Sequence, residues 1–415
     1  MTAIVPRSPE RYHWSRGLRV RERIRSLDML RGLIMMLMAL DHFIYFINRF
    51  HPSEFWLMAP PVFPAPAYAV FRLLSHLCAP GFVLLAGTSL VLSADRRMAG
   101  DIQARRKVRS SLVIRGVILI IVVQLVLEQG AWGLGDLGGR GIALNPNTYP
   151  GAPLWGGPYS YLGVIYALGL SIILGSFLLR LPEWTLAVAA GLSLAASPVV
   201  LFLSGSSVAT INPFVNALFV PGLSVFFTNY PLFPWFGVFL LGMLLGRRIV
   251  KTGRAALGWV WLPGLAALIA GAGVRLIHPW GEWHKFDPDR AGSFFELSKY
   301  PPSLAYLGMT LGVLCLVLWA LARVEGTRAV RAPGRVLQIF GREPLFFYLL
   351  HLYSYAMVSF VLVLPPSPIL TVAGWLVSLA VFAPLLSWFH TLKGSGKVPW
   401  FLLLSGWSSS GKDSS

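Results

Sequence analysis

Acidic residues are scarce in this chain: 17 Asp and Glu stand against 35 Lys and Arg in 415 residues, and all charged residues together make up only 13%. So low a charge content, beside 55% apolar residues, excludes a disordered or fibrous chain. Cysteine is nearly absent as well. Cys78 and Cys315 both lie inside apolar runs and are too few for a disulfide framework or a zinc cluster. Also missing are a Walker motif, a dinucleotide fingerprint, HExxH and GxSxG, which leaves nucleotide hydrolysis and metal-dependent chemistry without support, so no metal is expected. A nucleic-acid-binding protein could carry the net charge of +18, but its surface would not tolerate this much Leu, Val, Phe and Trp, so no nucleic-acid partner is expected.

What is abundant is apolar sequence in long runs. A bilayer core needs roughly 20 apolar residues in a helix, and ten candidate runs fall near 27–48, 68–93, 110–128, 159–180, 183–204, 232–247, 256–276, 303–323, 336–362 and 368–390. The fold class this implies is an all-α polytopic membrane helix bundle of about ten transmembrane helices, with the lipid bilayer as its first partner. If the runs alternate across the membrane, 28 of the 35 basic residues fall on one side. That asymmetry places the N- and C-termini in the cytoplasm. The expected organisation is a basic cytoplasmic arm over 1–26, a transmembrane domain over 27–391 and a cytoplasmic tail over 392–415. No cleavable signal peptide is expected, because a long polar and basic stretch precedes the first run and no small-residue cleavage site follows it. Three long outer loops, 129–157, 205–231 and 277–301, are of a length that is uncommon unless a loop covers a site. Their Trp132, Trp155, Trp280 and Trp283 suit an interfacial belt or sugar stacking.

The informative residues are those a lipid-facing helix would not carry. In RIRSLDMLRGLIMMLMALDHFIYF, the positions Asp28, Arg31, Met35, Met38 and His42 are spaced 3, 4, 3 and 4 and share one helix face. At 1.5 Å per residue that face runs about 21 Å, from the cytoplasmic edge into the outer half of the membrane. An interfacial ion pair explains Asp28 and Arg31 equally well, and a methionine stripe is more often packing than a lining. His42 is harder to set aside, since an ionisable group at that depth costs at least about 2.5 kcal/mol if it faces lipid. A buried structural histidine is the alternative. Adjacent residues on a helix point about 100° apart, so Asp41 does not orient His42 and the partner of His42 must come from another segment. Arg72 and His76 share a face at the start of the second run, with Pro80, Gly81 and Gly87 permitting close helix approach. Glu128, four residues after Gln124, ends the third run; Tyr348, His351 and Tyr355 share a face of the ninth; His51 and Glu54 precede the second. Their common depth in the outer half is the signal. On the opposite side, Arg31-Gly32, Arg115-Gly116 and Gly341-Arg342-Glu343-Pro344 open apolar runs. Such arginines are ordinarily snorkelling anchors, and together they also suit a phosphate-bearing ligand.

RIRSLDMLRGLIMMLMALDH, FRLLSHLCAPGFVLLAGTSLVLSADRR, RGVILI, PWFGVFLLGMLLGR and GREPLFFYLLHLY resemble the heparan-alpha-glucosaminide N-acetyltransferase family of transmembrane acyltransferases, in its bacterial branch. The resemblance runs from about residue 23 to 362, and its two N-terminal motifs are the more specific. It implies an integral protein of the bacterial inner membrane that takes an acetyl group from cytosolic acetyl-CoA, or another acyl-CoA, and passes it to a hydroxyl or amine on the outer side. The acceptor would be a glycan, a sugar or another small molecule, and a homodimer is a candidate assembly. The family's LDxLRG motif falls on Leu27 to Gly32, its bacterial Asp-His pair on Asp41 and His42, and its HxxAPxFxxLAGTS motif on His76 to Ser89. The lysosomal member has asparagine near His42 and its histidine nearer His51 or Ser53, so the base is His42 or His51, His42 being the one inside the motif. On this reading the Asp28, Arg31, Met35, Met38 and His42 face lines the path of the pantetheine arm, and Arg31 and Arg115 meet the CoA phosphates. A carboxylate from another segment, Glu54 or Glu128, supports His42, while His76, Tyr348 or His351 donates to the oxyanion. The competing class is a secondary transporter of a small polar solute or sugar, since ionisable groups and Gly/Pro-interrupted helices also mark transport sites, though no internal repeat pairs two halves of the chain. A non-catalytic membrane scaffold is a weaker third reading.

Overall fold

The computed structural model describes residues 23–50, 54–55, 60–97, 102–138, 160–204, 212–277, 284–290 and 292–395. Most of the basic arm, most of the tail, His51, Trp155, Trp280 and Trp283 therefore lie outside the described residues. Every apolar run of the sequence folds mainly as helix, the fourth after a short opening strand. In order these are α1 (Arg25–Phe46), α2 (Pro66–Ser75), α3 (Cys78–Arg97), α4 (Ile102–Ile118), α5 (Gln129–Gly138), α6 (Val164–Leu178), α7 (Glu183–Ser204), α8 (Pro213–Leu218), α9 (Leu232–Thr252), α10 (Ala255–Trp259), α11 (Trp261–Ile277), α12 (Leu304–Val324), α13 (Arg331–Arg342), α14 (Pro344–Val358) and α15 (Pro368–Gly394). Among the described residues eight helical stretches are long and apolar enough to cross a membrane, and α6 and α14 are shorter apolar helices.

The departures from the sequence reading have local causes. The ninth run is not one span: it divides between α13 and α14 at Glu343, whose φ of −124° and ψ of 60° leave the helical region, and Pro344 opens the next helix at its first position. The expected outer loop at 129–157 begins as helix. A π-helical stretch (Leu119–Glu128) carries α4 directly into α5, so Trp132 sits on a helix and not in a loop. The region expected as the loop 205–231 contains α8 and the strands β2 (Gly222–Leu223) and β3 (Phe226–Thr228). With β1 (Ser160–Leu162) they form a small sheet in the order β1-β3-β2, β1 parallel and β2 antiparallel to β3. This is the one sheet among the described residues. The Gln124 side chain anchors it, donating to the Tyr161 carbonyl at 3.0 Å and accepting from the Gly163 and Tyr166 amides.

α1 is the hub. It touches α2, α3, α12, α13, α14 and α15, and its apolar residues from Leu27 to Phe46 are mostly buried. Its approach to α13 depends on glycine from both sides: a Cβ on Gly32 would collide with the Leu337 carbonyl, and one on Gly341 with the Asp28 carbonyl. Small residues at such crossings let backbones meet where lipid supplies no hydrophobic drive. Large apolar side chains such as Trp184, Leu192, Ile269 and Trp388 point outward on α7, α11 and α15, which suits lipid as the surrounding solvent. Arg247 is by contrast buried and donates to the carbonyls of Leu178, Leu179 and Leu181 past the end of α6, satisfying groups the helix end leaves open.

Candidate active site

His42 lies one turn from the C-terminal end of α1, and its partner comes from α14. His42 Nδ1 and His351 Nε2 are 2.8 Å apart, and the rings stack with centroids 5.0 Å apart. His351 Nδ1 stands 2.6 Å from the Phe347 carbonyl oxygen. A carbonyl can only accept, so His351 Nδ1 carries hydrogen. In a neutral His351 the Nε2 lone pair then accepts from His42 Nδ1–H, and the basic lone pair of His42 is the one on Nε2. Two aromatic side chains pack edge-on against His42: Trp132 at 5.5 Å and Tyr348 at 6.4 Å between centroids. Both are held by Glu128, which accepts from the Tyr348 hydroxyl at 2.8 Å and from Trp132 Nε1 at 3.3 Å. Glu128 thus meets His42 by way of Tyr348 and Trp132, and His351 bonds to it directly.

Glu54, Asp41 and His76 belong to a second cluster. Arg72 donates to Asp41 Oδ1 at 2.9 Å and to Glu54 Oε2 at 2.6 Å, and His76 Nε2 lies 2.7 Å from Glu54 Oε1. The Tyr306 hydroxyl donates to the His76 carbonyl at 2.9 Å. Glu54 is buried, which by itself would raise its pKa, yet the charges of Arg72 and His76 hold the carboxyl well below the usual carboxylate range. The segment carrying Glu54 also pairs with the segment before α12 through a backbone bridge between Phe55 and Tyr300. Glu54 and His76 are engaged on the Asp41 side, because residues 41 and 42 leave α1 in different directions and Arg72 draws the acidic groups there. His351, whose Nε2 is engaged as acceptor, is not an oxyanion donor in this arrangement.

Along the rest of α1 runs a cavity of about 480 Å³, within the range of small-molecule sites. Its cationic end is lined by Arg23, Asp28, Arg31, Arg115 and Arg342, and its apolar part extends past Met38 and Val164 to Tyr348. Arg31 is fixed there by bonds to Asp28 Oδ1 (2.9 Å), Ser89 Oγ (2.9 Å) and the Gly341 carbonyl (3.2 Å), and Arg23 also pairs with Asp28. Met35 is fully buried and is not part of the lining, so the expected methionine stripe contributes Met38 alone. Met38 and His42 are four residues apart on one helix face, which puts the inner end of the cavity one turn from His42.

The structure therefore brings together Asp28, Arg31, Met38 and Arg115 on one cavity, sets His42 with His351 beside its inner wall, and keeps Asp41, Glu54 and His76 apart. Sequence reasoning missed Trp132 as a site residue and Ser89 as the anchor of Arg31. The spacing of four between Glu128 and Trp132 carried the first signal; nothing local carried the second. Residues 23–276 match a protein-family model described as heparan-alpha-glucosaminide N-acetyltransferase, catalytic. No curated protein matches the chain.

Proposed function

The chain belongs to the heparan-alpha-glucosaminide N-acetyltransferase catalytic family, and from that premise we propose that it transfers the acetyl group of cytosolic acetyl-CoA to an acceptor hydroxyl or amine across the membrane, with His42 as general base. The match makes it a membrane acetyltransferase; the donor, the acceptor side and the residue roles are our reading. The observation that carries it is the joining of a cavity with an arginine-rich end, at its Met38 and Tyr348 end, to a histidine whose Nδ1 is already engaged by His351.

In this reading the arm of the acyl-CoA lies along the Asp28, Arg31 and Met38 face, and its phosphates meet Arg115 and Arg342, with Arg31 held by Asp28 and Ser89 at the same end. The acceptor hydroxyl or amine attacks the thioester carbonyl while His42 Nε2 takes its proton. The tetrahedral intermediate then expels the CoA sulfur, which regains a proton from the imidazolium. His351 accepts from the His42 Nδ1–H throughout and keeps Nε2 the basic atom, and the Phe347 carbonyl holds His351 in that role. Of the expected oxyanion donors Tyr348 is the one on the cavity wall, with its ring against His42, and to serve its hydroxyl turns from Glu128 Oε1 toward the oxyanion. In this reading the cationic end of the cavity faces the cytoplasm at a bacterial inner membrane, which the basic bias of the loops supports, and the acceptor, a glycan or another small molecule, approaches from the far side.

The test is to incubate the purified chain with labelled acetyl-CoA and a panel of amino sugars and polysaccharides. An acetylated product that His42→Ala fails to form supports the assignment, and label retained on protein distinguishes an acyl-histidine route from direct transfer. Uptake of a sugar into liposomes without any acyl-CoA, and no acetylated product, would overturn it in favour of transport.

A further inference from the structure

A second cavity, of about 400 Å³, lies beside the cationic end of the first and shares Arg342 with it. It is built from the first turns of α1 and α13 and the turn before α13, and its charged lining is Arg25, Arg331, Arg335, Arg342 and Glu325. Arg331, Arg335, Gln338 and Arg342 are spaced 4, 3 and 4, so one face of α13 supplies four of the lining side chains. Glu325 does not neutralise them. Its carboxylate is engaged by Arg254 at 3.2 Å and by the Ser26 amide at 2.7 Å. Among the described residues neither Arg331 nor Arg335 pairs with a carboxylate, and Arg342 Nε is buried without a hydrogen-bond partner.

Backbone electrostatics compound the charge. The opening of α1 is already met by Glu325 through the Ser26 amide, whereas Val330 before α13 provides no side-chain hydrogen bond to that helix's opening amides. A helix N-terminus behaves as about half a positive charge, and Arg331 stands in the first turn of α13, where a cation is least favourable. Like charges four residues apart on a helix, as at Arg331 and Arg335, also repel. One uncapped helix end and four guanidinium groups converging on one cavity form an arrangement that an anion stabilises and water alone does not.

We propose that this second cavity is a phosphate-binding site, separate from the acyl-donor path, that grips a phosphate ester presented either by an anionic lipid headgroup or by a soluble phosphate compound. The planar forks of Arg331 and Arg335 supply bidentate contacts, Arg25 closes the opposite wall, and Gln338 adds a neutral donor. The shared Arg342 links its occupancy to the donor cavity. The inference does not depend on the acyl-transfer reading, because its readout is binding.

The experiment uses the full chain in neutral detergent, titrated with inorganic phosphate and with pyrophosphate and followed by thermal unfolding. A parallel arm uses nanodiscs of phosphatidylcholine with and without phosphatidylglycerol, followed by mass spectrometry of the retained lipid. Both arms are run on wild type, on the double variant Arg331→Gln/Arg335→Gln and on Arg115→Gln. Both substituted positions of the double variant are exposed, so folding is not at risk. Stabilisation of wild type by phosphate or pyrophosphate, or selective retention of phosphatidylglycerol, is expected. The double variant should weaken it by about tenfold per arginine, and Arg115→Gln, which reports only anion held in the donor cavity, should weaken it less than the double variant does. A response to the soluble anions alone assigns a soluble phosphate, and one to the lipid alone assigns a headgroup. No response in either arm, or an equal response in the double variant, overturns the proposal.

Discussion

Replacing His351 by Phe isolates the relay behind His42 from its packing. Phe keeps an aromatic ring against Phe347, Tyr348 and Tyr355, whose centroids lie 4.9, 5.9 and 5.9 Å from that of His351, but removes the atom that accepts from His42 Nδ1. General-base catalysis contributes about 10²- to 10⁴-fold, so His42→Ala should lose about 3 to 5 kcal/mol of transition-state stabilisation at about 1.4 kcal/mol per decade. In His351→Phe the base survives while its Nδ1–H is left without its acceptor, at a cost of about 1–3 kcal/mol. That corresponds to a fall of about five- to 150-fold in kcat, with donor KM little changed because the ring is not part of the cavity lining. The assay is the rate of acetylation at saturating donor and acceptor, with thermal unfolding as the check on fold. The double variant should be no slower than His42→Ala, since a positioning residue has nothing left to position. Were His351→Phe to work within about twofold of wild type while His42→Ala is inactive, the relay would be refuted and His42 would stand as a base without it. A fully active His42→Ala would refute the base itself.

The Glu54 carboxyl sits below its ordinary range in the folded protein, so its contribution to stability is fully present above the unfolded carboxylate pKa of about 4.3 and is lost as pH falls toward the folded value. Melting temperature should therefore drop on acidification below about pH 4, and Glu54→Gln should flatten that drop while costing about 3 kcal/mol near neutrality, as Arg72 loses one of its carboxylate partners. Arg115→Gln should raise donor KM about tenfold with a smaller change in kcat, as measured by initial rates against acetyl-CoA. Gly341→Ala should destabilise by at least about 1–3 kcal/mol in thermal unfolding, because its methyl meets the Asp28 carbonyl, a backbone atom that cannot rotate away; normal stability would show that α1 and α13 can separate.

Much of the fold was legible because apolar run length is a direct consequence of bilayer thickness, and each of the ten runs became mainly helix. What run length could not show was where helices join or divide. Nothing in an apolar count separates α13 from α14, yet the Glu343-Pro344 step does, and the passage of α4 through a π-helical stretch into α5 has no compositional mark. The site was legible in part. The 3 and 4 spacing on α1 placed Asp28, Arg31, Met38 and His42 along one face, and the angle between successive residues required a partner for His42 from another segment. Which partner was not readable, because depth in a membrane is a single coordinate: Glu54, Glu128, His76 and His351 were all expected near one level, and the choice among them depends on the azimuth at which each helix packs around α1.

That azimuth separates two kinds of chemistry on neighbouring residues. On the Asp41 side two carboxylates, one arginine and one histidine compensate each other with no long-range demand, which is how buried ions become tolerable. On the His42 side an imidazole, an indole and a phenol pack against the ring, and the carboxylate of Glu128 accepts from both aromatic donors. A carboxylate bonded to His42 would stabilise the imidazolium before any substrate arrived and hold the proton the reaction must move. A histidine bonded in turn to a backbone carbonyl fixes the same tautomer without adding charge. The step of one residue from Asp41 to His42, about 100° around α1, is what lets one helix carry a charged brace on one side and the proposed base on the other.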